Sequence, residues 1–184
     1  YMREAQHYEF VNSNTGRAET LDLAYDYNVI RWLQDNVQGT PVIMEAQSEA
    51  EYRWGSRIAI NTGMPAVIGW NFHQRQQRTF FPMPQMVQQR VANVNAFYTT
   101  DDPQTAADIL QHYHVEYVIV SALEQARYPG VLDRLEALTE AGVLEQVYNE
   151  DNYAYIFRVN RVAAQQLALG LEITASSREV ATTE

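Results

Sequence analysis

The segment from Glu45 to Arg78, EAQSEAEYRWGSRIAINTGMPAVIGWNFHQRQQR, gathers the side chains best suited to chemistry. Glutamates Glu45, Glu49 and Glu51, arginines Arg53, Arg57, Arg75 and Arg78, and His73 stand among Tyr52, Trp54 and Trp70. Arginine forks hold phosphate or carboxylate bidentately, and tryptophan or tyrosine faces suit sugar rings and cations. The ligand-binding candidates are therefore Glu45, Tyr52, Arg57, Trp70, His73 and Arg78. Glu45 and His73 could form an acid/base pair, although nothing in the sequence fixes their distance. The same residues also fit a second description, in which arginines and glutamates form an ion-pair network and the indoles pack in the core.

Several chemistries are excluded. The chain has no cysteine, which rules out disulfides, thiolate zinc sites and a thiol nucleophile. All thirteen basic residues are arginine, so no lysine is present for a Schiff base or a phosphate-binding loop. His112 and His114 make an H-x-H pair without a third ligand at fixed spacing, which reads better as histidine at a helix C-terminus than as a metal site. Hydrolase elbows, dinucleotide-binding glycines and H-E-x-x-H are absent. We expect no catalytic residue, metal or cofactor in this chain. The net charge of −10 argues against nucleic acid and against an anionic membrane surface. That charge is uneven. Residues 31–90 hold six arginines against four acids, whereas residues 91–160 hold three against eleven.

The elements that must position these residues follow from periodicity. A length of 184 residues supports one domain, which we place at 21–160, after a linker at 1–20 and before a short helix and tail at 161–184. Tyr25, Val29, Trp32 and Leu33 mark a helix over 22–37, stopped at Gly39 and Pro41. Short apolar runs at 41–46, 66–69 and 116–120 read as buried parallel strands. Helices are expected at 52–60, at 84–97, after the Asp102 cap with Pro103 at its first position, around Val131 to Leu138, and at 162–169. The runs 143–148 and 153–159, joined by Asn149-Glu150-Asp151-Asn152, predict a hairpin. The fold class is thus α/β, a three-layer sandwich with a short parallel sheet extended by a C-terminal antiparallel hairpin. Ligands in such sheets bind beyond the carboxyl ends of the strands, where Glu45-Ala46 and Gly69-Trp70 fall. Arg57, Trp70, His73 and Arg78 are expected on one concave surface.

Two stretches resemble known membrane proteins. The run 97–130, FYTTDDPQTAADILQHYHVEYVIVSALEQARYPG, resembles the extramembrane segment of multi-pass GT-C glycosyltransferases, in which a helix leads into a strand. The preceding stretch is similar to the YYY family of very hydrophobic membrane proteins. The matching positions are Glu45, Ala46, Tyr52, Arg57, Ile58, Thr62, Gly63, Pro65, Val67, Gly69, Trp70, His73, Gln76 and Arg78. Together the resemblances cover about residues 20–160.

The resemblance implies an extracytoplasmic domain of a polytopic cell-membrane protein, distantly similar to oligosaccharyltransferase catalytic subunits. Such a domain supports binding of an acceptor or donor headgroup and is inactive alone. The implied partners are the transmembrane region of the same protein and a lipid-linked sugar or glycan acceptor, with a divalent metal and a polyprenyl-phosphate donor belonging to the full-length protein. The missing initiator methionine and signal peptide fit a piece of something longer. Oligosaccharyltransferases carry W-W-D-Y-G where this chain has Tyr52-Arg53-Trp54-Gly55, and the missing aspartate argues against protein N-glycosylation. The alternative is a purely structural or protein-interaction domain with no sugar-transfer role.

Overall fold

A computed structural model of the protein describes residues 7–11, 16–47 and 54–173. The chain runs β1 (His7–Val11), β2 (Ala18–Asp22), α1 (Ala24–Asn36), β3 (Val42–Met44), α2 (Arg57–Thr62), α3 (Asn71–Gln77) and α4 (Met83–Thr99). It continues through α5 (Pro103–His112), β4 (Val115–Val120), α6 (Ala122–Arg127), α7 (Val131–Glu140), β5 (Leu144–Glu150), β6 (Ala154–Val159) and α8 (Arg161–Ala168). Four strands form an open sheet in the order β3-β4-β6-β5, parallel between β3 and β4 and antiparallel elsewhere.

Side-chain alternation along these strands divides the apolar residues between two cores. Ile43, Ile119 and Ile156 face one side, where Val29, Ile30 and Leu33 of α1 and Ile58 of α2 cover them. Met44, Val118, Val120 and Phe157 face the other, under Val94 and Phe97 of α4, Leu110 of α5, Leu135 of α7 and Ala163 of α8. A period of two in the strands and helices on both faces make the three-layer sandwich that the sequence predicts. Asp102 caps α5 as expected, accepting the backbone N–H groups of Gln104 and Thr105.

Several elements differ from expectation, α3 and α6 among them, since no helix is expected at either place. The strand at 66–69 shrinks to one parallel bridge, Ala66 with Ile43, held by Ile43 N to Pro65 O and Val67 N to Ile43 O. Val67 and Ile68 both enter the same core, which a pleated strand forbids, and Arg90 of α4 takes the carbonyl of Val67. The helix expected at 52–60 starts only at Arg57, because Ser56 sits in the left-handed region at φ 61°. Ahead of α1, β1 and β2 pair antiparallel from His7↔Asp22 to Val11↔Ala18 in a stretch whose weak pattern does not announce strands. The tail expected beyond residue 173 lies outside the described residues.

Ile119 is fully buried between α1 and α2, so Ile119→Ala should cost about 2–5 kcal/mol in urea unfolding. Val162→Ala, on the open face of α8, should change stability by less than about 0.5 kcal/mol. Equal effects at the two positions would contradict the layer assignment.

Candidate functional site

Beyond the carboxyl ends of β3 and β4 lies a buried charge cluster. Arg57, at the first position of α2, is 2% exposed and extends beneath three carboxylates, Asp26 of α1, Glu45 after β3 and Glu124 of α6. Its Nη2 donates to Glu124 Oε2 at 2.7 Å and to the Ser121 hydroxyl, and its Nη1 donates to Glu124 Oε1 at 3.2 Å. Nε lies 2.9 Å from Asp26 Oδ1, an ionic contact outside hydrogen-bond geometry, and Nη1 lies 3.6 Å from Glu45 Oε2.

Each carboxylate has a second task. Glu45 accepts the N–H groups of Ile58 and Ala59, so it caps the start of α2 from the end of a strand. Glu124 closes a capping box with Ser121 at the start of α6 and accepts the N–H of Ala46. Asp26 accepts from the Trp54 indole and the Ser121 hydroxyl. Four separate chain segments therefore meet at one guanidinium.

The electrostatics follow from this count. Three carboxylates and one guanidinium, all at most 2% exposed, would carry a net −2 if fully ionised. Burial opposes the Glu45 anion more strongly than Arg57 and its two backbone donors favour it, and its pKa is pushed up to about 7. Burial also opposes ionised Glu124, but Arg57 and the donors of Ala46 and Ser121 prevail, holding it below the usual value. Burial would lower the Arg57 pKa, yet the surrounding carboxylates raise it instead. The guanidinium fills the place where a cation would sit, and among the described residues no group of three His, Asp or Glu is arranged to hold a metal.

A cleft of about 390 Å³ opens beside this cluster, lined by Ser56, Ala59, Ile60, Ala66, Trp70 and His73 among others. The half-buried Trp70 anchors it, its indole donating to Gly55 O at 3.0 Å while His73 meets the ring edge-on. His73 Nε2 lies 2.8 Å from Gln77 Nε2. This lining is mostly apolar, with an aromatic wall and one imidazole.

The candidates from sequence thus separate. Trp70 and His73 share the cleft. Arg57 and Glu45 are buried behind it and present no surface to a ligand, contrary to the expected single concave face. Arg78 follows α3, is exposed and is absent from the cleft wall. Tyr52 lies outside the described residues, together with Glu49, Glu51 and Arg53. Asp26, Ser121 and Glu124 escaped the sequence reading, although Ser121-Ala122-Leu123-Glu124 carries the S-x-x-E signature of a helix start. Asp26 has no local signal, since its partner lies 31 positions away in the chain.

No protein-family description matches the chain, and no curated protein matches it. Among solved structures it is similar to the C-terminal globular domain of an oligosaccharyltransferase from Archaeoglobus fulgidus. That likeness spans 72% of this chain and 95% of the other, at 12% identity and a TM-score of 0.42. Among the described residues no helix is long and apolar enough to cross a membrane.

The cluster sets an expected pH response. Glu45 has a folded-state pKa of about 7 against an ordinary 4.5, so the folded protein holds its proton more tightly. The stability contributed by protonated Glu45 is full below 4.5 and is lost as pH rises through 7, by up to about 3 kcal/mol. Glu124, shifted the other way, contributes stability that is lost as pH falls below the ordinary carboxyl range. Urea midpoints measured from pH 4.5 to 8 should fall on the alkaline side in the wild type, and Glu45→Gln should flatten that limb. An unchanged limb in the variant would assign the titration elsewhere.

Proposed function

We propose that this chain is the extracytoplasmic domain of a polytopic membrane protein resembling lipid-linked-sugar transferases. In this reading it binds an acceptor or donor headgroup and does not catalyse transfer alone. The observation that carries the reading is the cleft around Trp70. It lies beside the carboxyl end of β3, and its wall includes Pro65, Gly69, Trp70 and His73, four of the positions that resemble the YYY family.

The physical case rests on what such a cleft can hold. An aromatic wall can stack on the C–H surface of a sugar ring, and an imidazole can donate to a hydroxyl or a phosphate oxygen. Transfer from a polyprenyl-phosphate would need a base near the acceptor and neutralisation of the leaving phosphate. In this reading both come from the membrane region, together with any divalent metal. Arg57 cannot contribute the neutralising charge, because three carboxylates already surround it.

The burial of Arg57 and Glu45 favours the second reading, a structural or protein-interaction domain, since it converts two candidate ligand residues into scaffold. A titration separates the two. Hexoses and hexose 1-phosphates added to the 184-residue chain should shift the indole and imidazole NMR signals of Trp70 and His73. Trp70→Ala should weaken that binding at least tenfold, the loss expected from about 1.4 kcal/mol or more of ring contact. No shift with any of these sugars, or full affinity in the variant, would leave the interaction-domain reading standing.

A further inference from the structure

The connection from α3 to α4 exposes apolar side chains that folding leaves uncovered. Phe80 and Phe81 are adjacent and are 84% and 83% exposed, and Met83 and Met86 on the first turn of α4 continue the patch. The turn is built to present them. Met83 N donates to Phe80 O at 2.8 Å, and Pro82 and Pro84 restrict the backbone on both sides of Met83.

The charge around the patch is as distinctive. Residues 58–100 contain no Asp or Glu but include Arg75, Arg78 and Arg90, in a chain with 23 acids and 13 basic residues overall. Arg90 is occupied, donating to Val67 O and lying over the Tyr113 ring. Arg75 and Arg78 form no ion pair among the described residues, and they stand within six positions of the phenylalanines. The overall charge of −10 opposes an anionic surface only at long range. Screening confines such effects to about 8 Å at physiological salt, so the local cationic patch decides what can dock.

We propose that this turn docks the protein on a phospholipid bilayer bearing anionic headgroups. Phe80 and Phe81 enter the interfacial layer, and Arg75 and Arg78 hold lipid phosphates. Apolar tips flanked by arginine match a surface whose hydrocarbon begins just beneath a layer of phosphate. A second copy of the chain fits less well, because a two-fold contact through the patch would bring its arginines together. The consequence for the cleft is positional. His73 lines the cleft from α3 and the patch begins where α3 ends, so docking carries the cleft mouth toward headgroup level.

The test is co-sedimentation of the 184-residue chain with vesicles of equimolar phosphatidylglycerol and phosphatidylcholine, and with phosphatidylcholine alone, at low and near-physiological salt. The wild type should partition onto the anionic vesicles more strongly than onto the neutral ones, and less so as salt rises. Phe80→Ser with Phe81→Ser should reduce the anionic partition coefficient at least tenfold. Arg75→Gln with Arg78→Gln should reduce it to the level of neutral vesicles. Circular dichroism should show all variants folded, and the sugar titration of the phenylalanine variant reports on the cleft separately. Undiminished partition in the phenylalanine variant, or equal partition onto both vesicle types, overturns the proposal. So does self-association abolished by the phenylalanine substitutions without vesicle binding, which would assign the patch to a protein contact.

Discussion

Arg57 is one cation enclosed by Asp26, Glu45 and Glu124, and the carboxyl-end rim of the sheet depends on that enclosure. A guanidinium has five donors in a rigid plane, enough to serve several acceptors from different segments at once. Here it joins α1, the end of β3, the start of α2 and the β4–α6 junction. The cost of burying four charges is offset only because each carboxylate also accepts protein donors. Glu45 and Glu124 cap α2 and α6, helices of six residues that would be marginal without such partners.

A division of labour follows along the Glu45–Arg78 segment. Its inner residues, Glu45, Trp54 and Arg57, turn toward the protein and fasten α2 against the sheet. The outer residues Trp70 and His73 take the cleft, whose other wall is α2 itself. Arg75 and Arg78 then lead into the exposed turn before α4. The Tyr98 hydroxyl extends the inner scaffold to α4, reaching the carbonyls of Met44 and Ile119 at 3.0 and 2.9 Å.

What the sequence could show was what periodicity encodes. Short apolar runs, such as those holding Ile43-Met44 and Val118-Ile119, and a helical spacing of apolar residues between them made the sandwich readable, and the polar link at 149–152 made the hairpin so. An ion-pair network around Arg57 was one of two descriptions the sequence allowed, but its full burial was not readable, because an arginine near glutamates looks alike whether it faces water or lies in a core. Burial is decided by Asp26 and Glu124, which stand 31 and 67 positions away. Ser56 in the left-handed region likewise shortened a helix that residue types alone extended. Trp70 and His73, two of the four residues expected on one surface, do meet, because three residues of separation at the start of α3 place their rings on one turn.

The most direct measurement of this account is a double-mutant cycle between Arg57 and Glu124, using Arg57→Met, Glu124→Gln and both together in urea unfolding. Arg57→Met leaves buried carboxylates without their cation, which typically costs about 3–5 kcal/mol, and Glu124→Gln removes the carboxylate that accepts from both Nη atoms of Arg57. If the guanidinium is the keystone of the rim, the double variant should be less destabilised than the two losses summed, by a coupling of about 1–3 kcal/mol. Strictly additive losses would contradict the account, since the two side chains would then contribute independently and the rim would be held by packing alone.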